Sequence, residues 1–134
     1  MKVTKQIKIS HHDTDCYAVV WHGSFIKYFE EGRCDYCEKA GINLSEYESS
    51  GMLFPVADLY VKYKTPAKIY DIVEIETSTE EVRRASVIFL HTVKNVKTGA
   101  TVVEAKVTIT FLKDGKLSRM PDNLAEAFRQ SETD

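Results

Sequence analysis

One helical stripe in a chain of otherwise alternating residues limits what this sequence can fold into. Between about Gly23 and Ala40, apolar or small residues recur every three or four positions, as on the buried face of an α-helix. Gly41 follows directly and predicts the end of that helix, because glycine readily adopts the left-handed conformation that closes helices. Glycine costs a helix about 1 kcal/mol against alanine, so Gly32 within the stripe indicates close backbone packing there. The full stripe is Phe25, Phe29, Gly32, Tyr36 and Ala40.

Segments with a period of two, typical of half-buried strands, make up most of the remaining chain. One precedes the helix and four follow it with short connections, which force antiparallel neighbours. A helix of about 18 residues matches strands of 8–10 residues in length, while five strands are about 24 Å wide and exceed one helix. The sequence therefore predicts one α+β domain, residues 1–134, with a five-stranded antiparallel sheet curved around a central helix. The predicted strands are residues 2–10, 54–64, 70–80, 85–96 and 101–112.

Three parts of the chain carry more specific expectations. Residues 85–96 are apolar on both faces, which predicts a central strand. Pro121 predicts the start of a short final helix, because its fixed backbone angle suits the first turn. In the strand over 54–64 the alternation predicts that four side chains point inward, namely Ala57, Leu59, Val61 and Tyr63.

Composition excludes several classes of protein. The 18 Lys and Arg against 20 Asp and Glu give a formal charge of −2, which argues against a nucleic-acid binder. No apolar run approaches the ~20 residues of a membrane span or the core of a signal peptide. Three cysteines are too few and odd in number for a disulfide framework. We therefore expect a cytoplasmic protein.

Reactive side chains are densest between the first strand and the helix. Free N–H groups at a helix start stabilise an anion or a developing oxyanion. A carboxylate on the preceding loop is then placed to act as base or nucleophile on a carbonyl held by those groups. This arrangement favours acyl-transfer chemistry. The cluster comprises His11, His12, Asp13, Asp15, Cys16, Tyr17 and His22.

Other interpretations of the same residues remain open at this point. In one interpretation Asp13, Thr14 and Asp15 do no more than make turn or cap hydrogen bonds. The His and Asp residues can bind a metal, although His11 and His12 would point to opposite sides of a continuing strand. Cys16 with His22 has the elements of a Cys/His pair. Cys34 and Cys37 match a CxxC motif, but their place inside the helix favours small buried side chains over redox chemistry.

The order of motifs along the chain resembles a known family. The sequence Asp13-Thr14-Asp15 is followed by Val19-Val20-Trp21-His22 and then by Phe29-Glu30-x-x-Arg33. Tyr63-x-x-Pro66-Ala67 and Phe111-Leu112-x-x-Gly115-Lys116 come later in the same order. This pattern is similar to the 4-hydroxybenzoyl-CoA thioesterase-like hotdog family, especially its short acyl-CoA thioesterase branch associated with the Tol-Pal region of bacteria.

The resemblance implies a hotdog fold and hydrolysis of an acyl-CoA thioester without a metal or other cofactor. Asp15 matches the family's catalytic base or nucleophile, and His22 matches the residue at the helix start beside the thioester. Backbone N–H groups of Val20, Trp21 and Gly23 are the candidates to polarise the thioester carbonyl.

The resemblance also bears on substrate binding and assembly. Arg84 with Ser86 matches a family position near the coenzyme. The family places its active sites at the interface of a homodimer, commonly assembled into tetramers. The alternative functions are hydrolysis of acyl groups on acyl carrier protein and non-catalytic acyl binding.

Three positions depart from the family pattern. Ala18 stands where glycine is usual, so its backbone must accept a side chain or form a different turn. His11 and Phe25 stand where tyrosines are usual, and His11 is the candidate to replace one hydroxyl in substrate binding.

Overall fold

The predicted central helix is α1, Ser24–Lys39, in a computed structural model that describes all 134 residues. Gly23 precedes it, and Gly41 follows its end with the predicted left-handed backbone at φ 76°. Phe25, Phe29, Gly32 and Tyr36 are buried as predicted, whereas Ala40 is only half-buried. Residues 85–96 and the C-terminal segment also fold as predicted, into a central strand and a helix. In chain order the other elements are β1 (Val3–Lys8), α2 (Leu44–Ser49), β2 (Met52–Leu53), β3 (Val56–Tyr63), β4 (Ile72–Val82), β5 (Ser86–Asn95), β6 (Thr101–Thr110), β7 (Leu112–Lys113), β8 (Lys116–Leu117) and α3 (Asp122–Thr133).

The main sheet has five strands in the order β1-β4-β5-β6-β3, and every neighbouring pair is antiparallel. Helix α1 packs against β1, β4 and β5. This is the hotdog fold, so the predicted fold class is confirmed. Twenty-six buried apolar residues form a single cluster between the sheet and its helices.

Gly32 explains how α1 approaches the sheet so closely. A β-carbon at this position would collide with Thr77 Oγ1 and lie 3.2 Å from Ile75 Cγ2 on β4. Because the contact is with the sheet directly beneath the helix, only glycine lets α1 lie at this depth. The packing inferred from the sequence is therefore confirmed.

In the strand over 54–64 the predicted direction of the side chains is confirmed, since Leu59, Val61 and Tyr63 pair with buried residues of β6, but the expectation that they are buried is wrong. Ala57, Leu59 and Tyr63 are exposed, and Val61 is half-buried. They stay exposed because β3 is the edge strand beyond β6, whereas α1 packs on β1, β4 and β5 toward the other edge of the sheet. The chain thus leaves an apolar edge strand uncovered.

Two features were not predicted. Helix α2 has six residues and buries none of them. Strands β2, β7 and β8 form a separate small sheet of two-residue strands. None of the helices is long and apolar enough to cross a lipid bilayer.

Candidate active site

The loop after β1 separates two aspartates with different environments. Asp13 is buried, accepts the N–H of Ser10 at 3.2 Å and lies 3.6 Å from Lys27 Nζ. These contacts fix a short 3₁₀ turn over His11–Asp13. Asp13 is therefore a structural residue, as the capping interpretation predicts for it.

Asp15 lies in the tight turn that follows. Its N–H donates to the Val19 carbonyl at 2.9 Å, and its carbonyl accepts the N–H of Ala18 at 3.1 Å. One carboxylate oxygen accepts the N–H of Tyr17 at 2.8 Å, while the other oxygen has no partner within the chain. The turn thus orients the side chain and leaves one oxygen free to react.

Ala18 gives this turn its shape. Its φ is 60°, in the left-handed region that a residue with a β-carbon enters at a cost of about 1–2 kcal/mol. The chain therefore keeps the conformation that suits glycine, instead of forming a different turn.

The turn packs on the segment between β3 and β4. Val19 forms a bridge with Lys68, and the N–H of Val20 donates to the Ala67 carbonyl at 2.8 Å. A pocket of about 360 Å³ opens here, which is within the size range of small-molecule sites. Its lining includes Asp15, Val20, His22, Phe25, Tyr63 and the residues 64–67.

His22 reaches this pocket from the start of α1. The Tyr63 hydroxyl donates to the His22 carbonyl at 2.9 Å, and the His22 and Trp21 rings lie 5.0 Å apart. The imidazole itself is exposed and makes no hydrogen bond within the chain. The structure therefore brings Asp15 and His22 to one pocket. Burial raises the pKa of Tyr63, so this hydroxyl stays protonated as the donor.

The backbone donors differ from the sequence prediction. Val20 donates its N–H to Ala67, and Trp21 donates its N–H to the Asp13 carbonyl at 2.8 Å. The prediction of these two groups as carbonyl-binding donors is therefore wrong, because both are already engaged in holding the turn. The N–H groups of His22 and Gly23 have no partner within the chain. A β-carbon at Gly23 would displace only the outer edge of the exposed Trp21 ring.

The predicted coenzyme-binding residues lie outside this pocket. His11 Nε2 pairs with the Tyr70 hydroxyl at 2.8 Å, on the loop before β4. Arg84 and Ser86 flank the turn between β4 and β5. Ser86 pairs with Thr110 at one end of β6, whereas Tyr63 of the pocket pairs with Val103. Seven residues of strand separate these two positions, or about 23 Å.

Arg84 lies beside two further arginines, neither of which was predicted to bind the coenzyme. Arg84, Arg119 and Arg129 line a hollow of about 330 Å³ at the start of α3. None of the three forms an ion pair. The hollow therefore offers three guanidinium groups to an anion, against the single exposed carboxylate of Asp122. No periodicity groups these three arginines, because they lie on three separate segments of the chain.

The structure gives little support to the two alternatives of thiol redox chemistry and metal binding. Burial raises the pKa of both CxxC thiols, that of Cys37 to about 12, which disfavours the reactive thiolate. No group of three or more His, Cys, Asp or Glu side chains converges as metal ligands would.

Comparison with known proteins shows the family of this chain. The model of the thioesterase-like superfamily matches residues 9–128. The chain belongs to this superfamily. The predicted class of enzyme, a thioesterase of the hotdog type, is thereby confirmed, and its placement in the Tol-Pal-associated branch stays a prediction.

Individual members are similar over nearly their whole length. The solved structure of DHNA-CoA thioesterase from Staphylococcus aureus has a TM-score of 0.92 and 25% identity, and covers 98% of this chain and 91% of that chain. Acyl-CoA thioester hydrolase YbgC from Escherichia coli O6:H1 is 24% identical over 126 residues, which are 92% of this chain and 93% of the relative. A 4-hydroxybenzoyl-CoA thioesterase, solved as an aspartate-to-asparagine variant with 4-hydroxybenzoyl-CoA, shares the fold at 20% identity. Its TM-score is 0.85, and the match covers 94% of this chain and 97% of that chain.

Proposed function

We propose that this thioesterase hydrolyses acyl-CoA thioesters to the free acid and CoA, with Asp15 as the catalytic carboxylate. The observation that carries the proposal is the convergence of Asp15 and His22 on one pocket at the start of α1, where two backbone N–H groups are unused. The names of the relatives support the same substrate class.

The chemistry follows from these groups. The thioester carbonyl accepts the N–H of Gly23, supported by that of His22, and such a donor contributes about 10²–10³ in rate. The free oxygen of Asp15 either attacks the carbonyl carbon to form an anhydride, which water then hydrolyses to release the acid and restore the carboxylate, or takes a proton from an attacking water. In both courses the C–S bond breaks and the sulfur leaves with the electron pair. His22 is placed to protonate that thiolate.

A second chain completes the coenzyme site in this proposal. CoA carries several phosphates, for which the hollow of Arg84, Arg119 and Arg129 provides matching guanidinium groups. In one chain this hollow lies about 23 Å along the sheet from the Asp15 pocket. We therefore assign the two regions of one active site to different protomers of a homodimer, and two such dimers can assemble into a tetramer.

We place the enzyme in the cytoplasm, because Cys16 and Cys34 are exposed free thiols.

Replacing Asp15 by asparagine tests the catalytic assignment. Asp15→Asn keeps the shape of the turn and an oxygen to accept the N–H of Tyr17, but removes the negative charge. We expect kcat on a panel of acyl-CoAs to fall at least 100-fold with little change in substrate affinity. The matched control is Asp35→Asn, which makes the same change on α1, where Asp35 lies near Lys5 of β1. This variant should retain activity. Equal rates for Asp15→Asn and the wild type would refute the role of Asp15.

Removing one guanidinium tests the coenzyme assignment. We expect Arg84→Ala to raise KM for an acyl-CoA severalfold, because a phosphate loses a charged partner. The corresponding acyl-pantetheine lacks the nucleotide phosphates, so its KM should stay unchanged. Lys116→Ala, an exposed lysine of β8, serves as the control. A wild type that hydrolyses both thioesters with the same KM would contradict the assignment and favour carrier-linked substrates.

A further inference from the structure

A second cavity lies in the half of α1 that is remote from Asp15. It is formed between α1, α2, the ends of β5 and β6, and α3. Arg33 on its α1 side is ten residues, or about 15 Å, from Gly23 at the candidate active site. Six apolar side chains form most of its wall, namely Leu44, Phe54, Phe89, Ile109, Phe111 and Phe128.

The size of this cavity limits what it can hold. Its volume is about 180 Å³. An engineered apolar cavity of about 150 Å³ holds benzene, so the space here suits one aromatic ring or a short aliphatic chain. A pantetheine arm or a nucleotide is too large for it.

Arg33 brings a positive charge to this apolar space. It is half-buried, and no carboxylate lies within ion-pair distance of its guanidinium. Its hydrogen-bond partner in the chain is His91, with Arg33 Nη1 at 3.4 Å from His91 Nε2. Burial lowers the pKa of Arg33, and the charge of Glu30 on the same helix offsets this only in part, so the site gains from an anion that pairs directly with the guanidinium.

His91 cannot neutralise that charge. Since arginine can only donate, Nε2 of His91 must accept, and the proton lies on Nδ1, which donates to Thr77 Oγ1 at 2.9 Å. This arrangement requires a neutral imidazole. The histidine therefore positions the guanidinium and leaves its positive charge available.

The rim of the cavity restricts the anion further. Glu30 and Glu48 line it and are both exposed. Their charges oppose a second negative group on any ligand that enters. The guanidinium inside and the carboxylates at the rim thus favour an anion with a single charge and an apolar body.

We propose that this cavity is a second binding site, which takes a small apolar monocarboxylate with its carboxylate on Arg33 and its apolar body against the phenylalanines. Benzoate is the simplest probe, because one ring fits the volume. Benzylamine and phthalate are matched probes of the same size class with opposite charge or a second carboxylate.

The test is calorimetric titration of the full-length protein with these probes. We expect saturable benzoate binding, with phthalate and benzylamine at least tenfold weaker. Arg33→Gln should weaken benzoate at least tenfold. Leu44→Trp, which fills the cavity but keeps the guanidinium, should do the same and provides a second variant if Arg33→Gln fails to fold. Asp15→Asn should bind benzoate as the wild type does, which separates this site from the proposed active site.

Several outcomes would overturn the proposal. One is the absence of saturable benzoate binding by the wild type. Another is benzylamine binding as tightly as benzoate. A third is benzoate affinity that falls in Asp15→Asn and survives in Leu44→Trp, since that result would place benzoate at the active site.

Discussion

His91 connects the burial of a single side chain to the acid stability of the protein. Its ring stacks on Phe29 at 5.0 Å and is almost fully buried. Burial, and then the charge of Arg33, lower its pKa to about 3. In the unfolded chain the imidazole has its ordinary pKa near 6.5, so below that pH the unfolded state binds a proton that the folded state refuses.

The free energy of unfolding should therefore fall with acidification between about pH 6.5 and pH 3. From pH 7 to pH 5 this one residue contributes a loss of about 2 kcal/mol. Urea unfolding at pH 7 and at pH 5 measures this loss of unfolding free energy. His91→Gln is the comparison, because glutamine does not titrate. The variant should lose about 2 kcal/mol less than the wild type over this interval. Identical losses in the two proteins would contradict the prediction.

Sequence alone could predict that Asp15 and His22 lie together at the start of α1, but it could not predict which residues surround Arg33. The first two follow from the loop before a helix start and from the family motif, both local signals. The partner of Arg33 lies 58 residues away on β5, and only the folded sheet brings it beneath α1. The prediction of Val20 as a free backbone donor failed for a similar reason. Its N–H donates to the carbonyl of Ala67, which is distant in the sequence and comes close only in the fold.

At the scale of elements, α1 and the sheet illustrate what periodicity can and cannot predict. The stripe on α1 is strong because it runs over four turns and ends at a glycine. The alternation in β3 is just as regular, yet it predicted burial that a single chain does not provide. Periodicity reports that a face is apolar, whereas the element that covers it is decided by strand order.

Gly32 offers a test of how closely α1 lies on the sheet. In an ordinary helix Gly→Ala stabilises by about 1 kcal/mol. We expect Gly32→Ala to destabilise the protein by about 1–3 kcal/mol instead, because the new methyl group collides with Thr77. Urea unfolding measures the difference, with Glu31→Ala on the exposed face as the control. A more stable Gly32→Ala protein would show that the helix can move away at no cost.

At the scale of the whole molecule, the open edge of the sheet favours pairing with a second copy. Strand β3 has eight residues, and its outer row of backbone N–H and C=O groups has no neighbour. A long exposed apolar edge is an aggregation hazard unless another strand covers it. Large apolar side chains on this strand are exposed, namely Val56, Leu59, Tyr60 and Tyr63.

A charge on this edge should therefore separate the protomers. We expect the wild type to sediment as a dimer or a larger even assembly, and Tyr60→Lys to shift it toward the monomer. Leu117→Lys on β8 is the matched control, since Leu117 is also exposed but lies in the small sheet. If Tyr60→Lys leaves the sedimentation coefficient unchanged, β3 is not the contact.

The separation of about 23 Å between the Asp15 pocket and the arginine hollow has a genetic consequence. In the proposed dimer each chain would supply its arginine hollow to the active site of the other chain, so a substitution in one chain would impair catalysis at the carboxylate of its partner. A protein lacking Asp15 would be inactive, and one lacking Arg84 would have little activity when acyl-CoA is scarce. Exchange of subunits between them would give a mixed dimer with one doubly defective site and one intact site. Activity would thus reappear from two defective parents, as intragenic complementation.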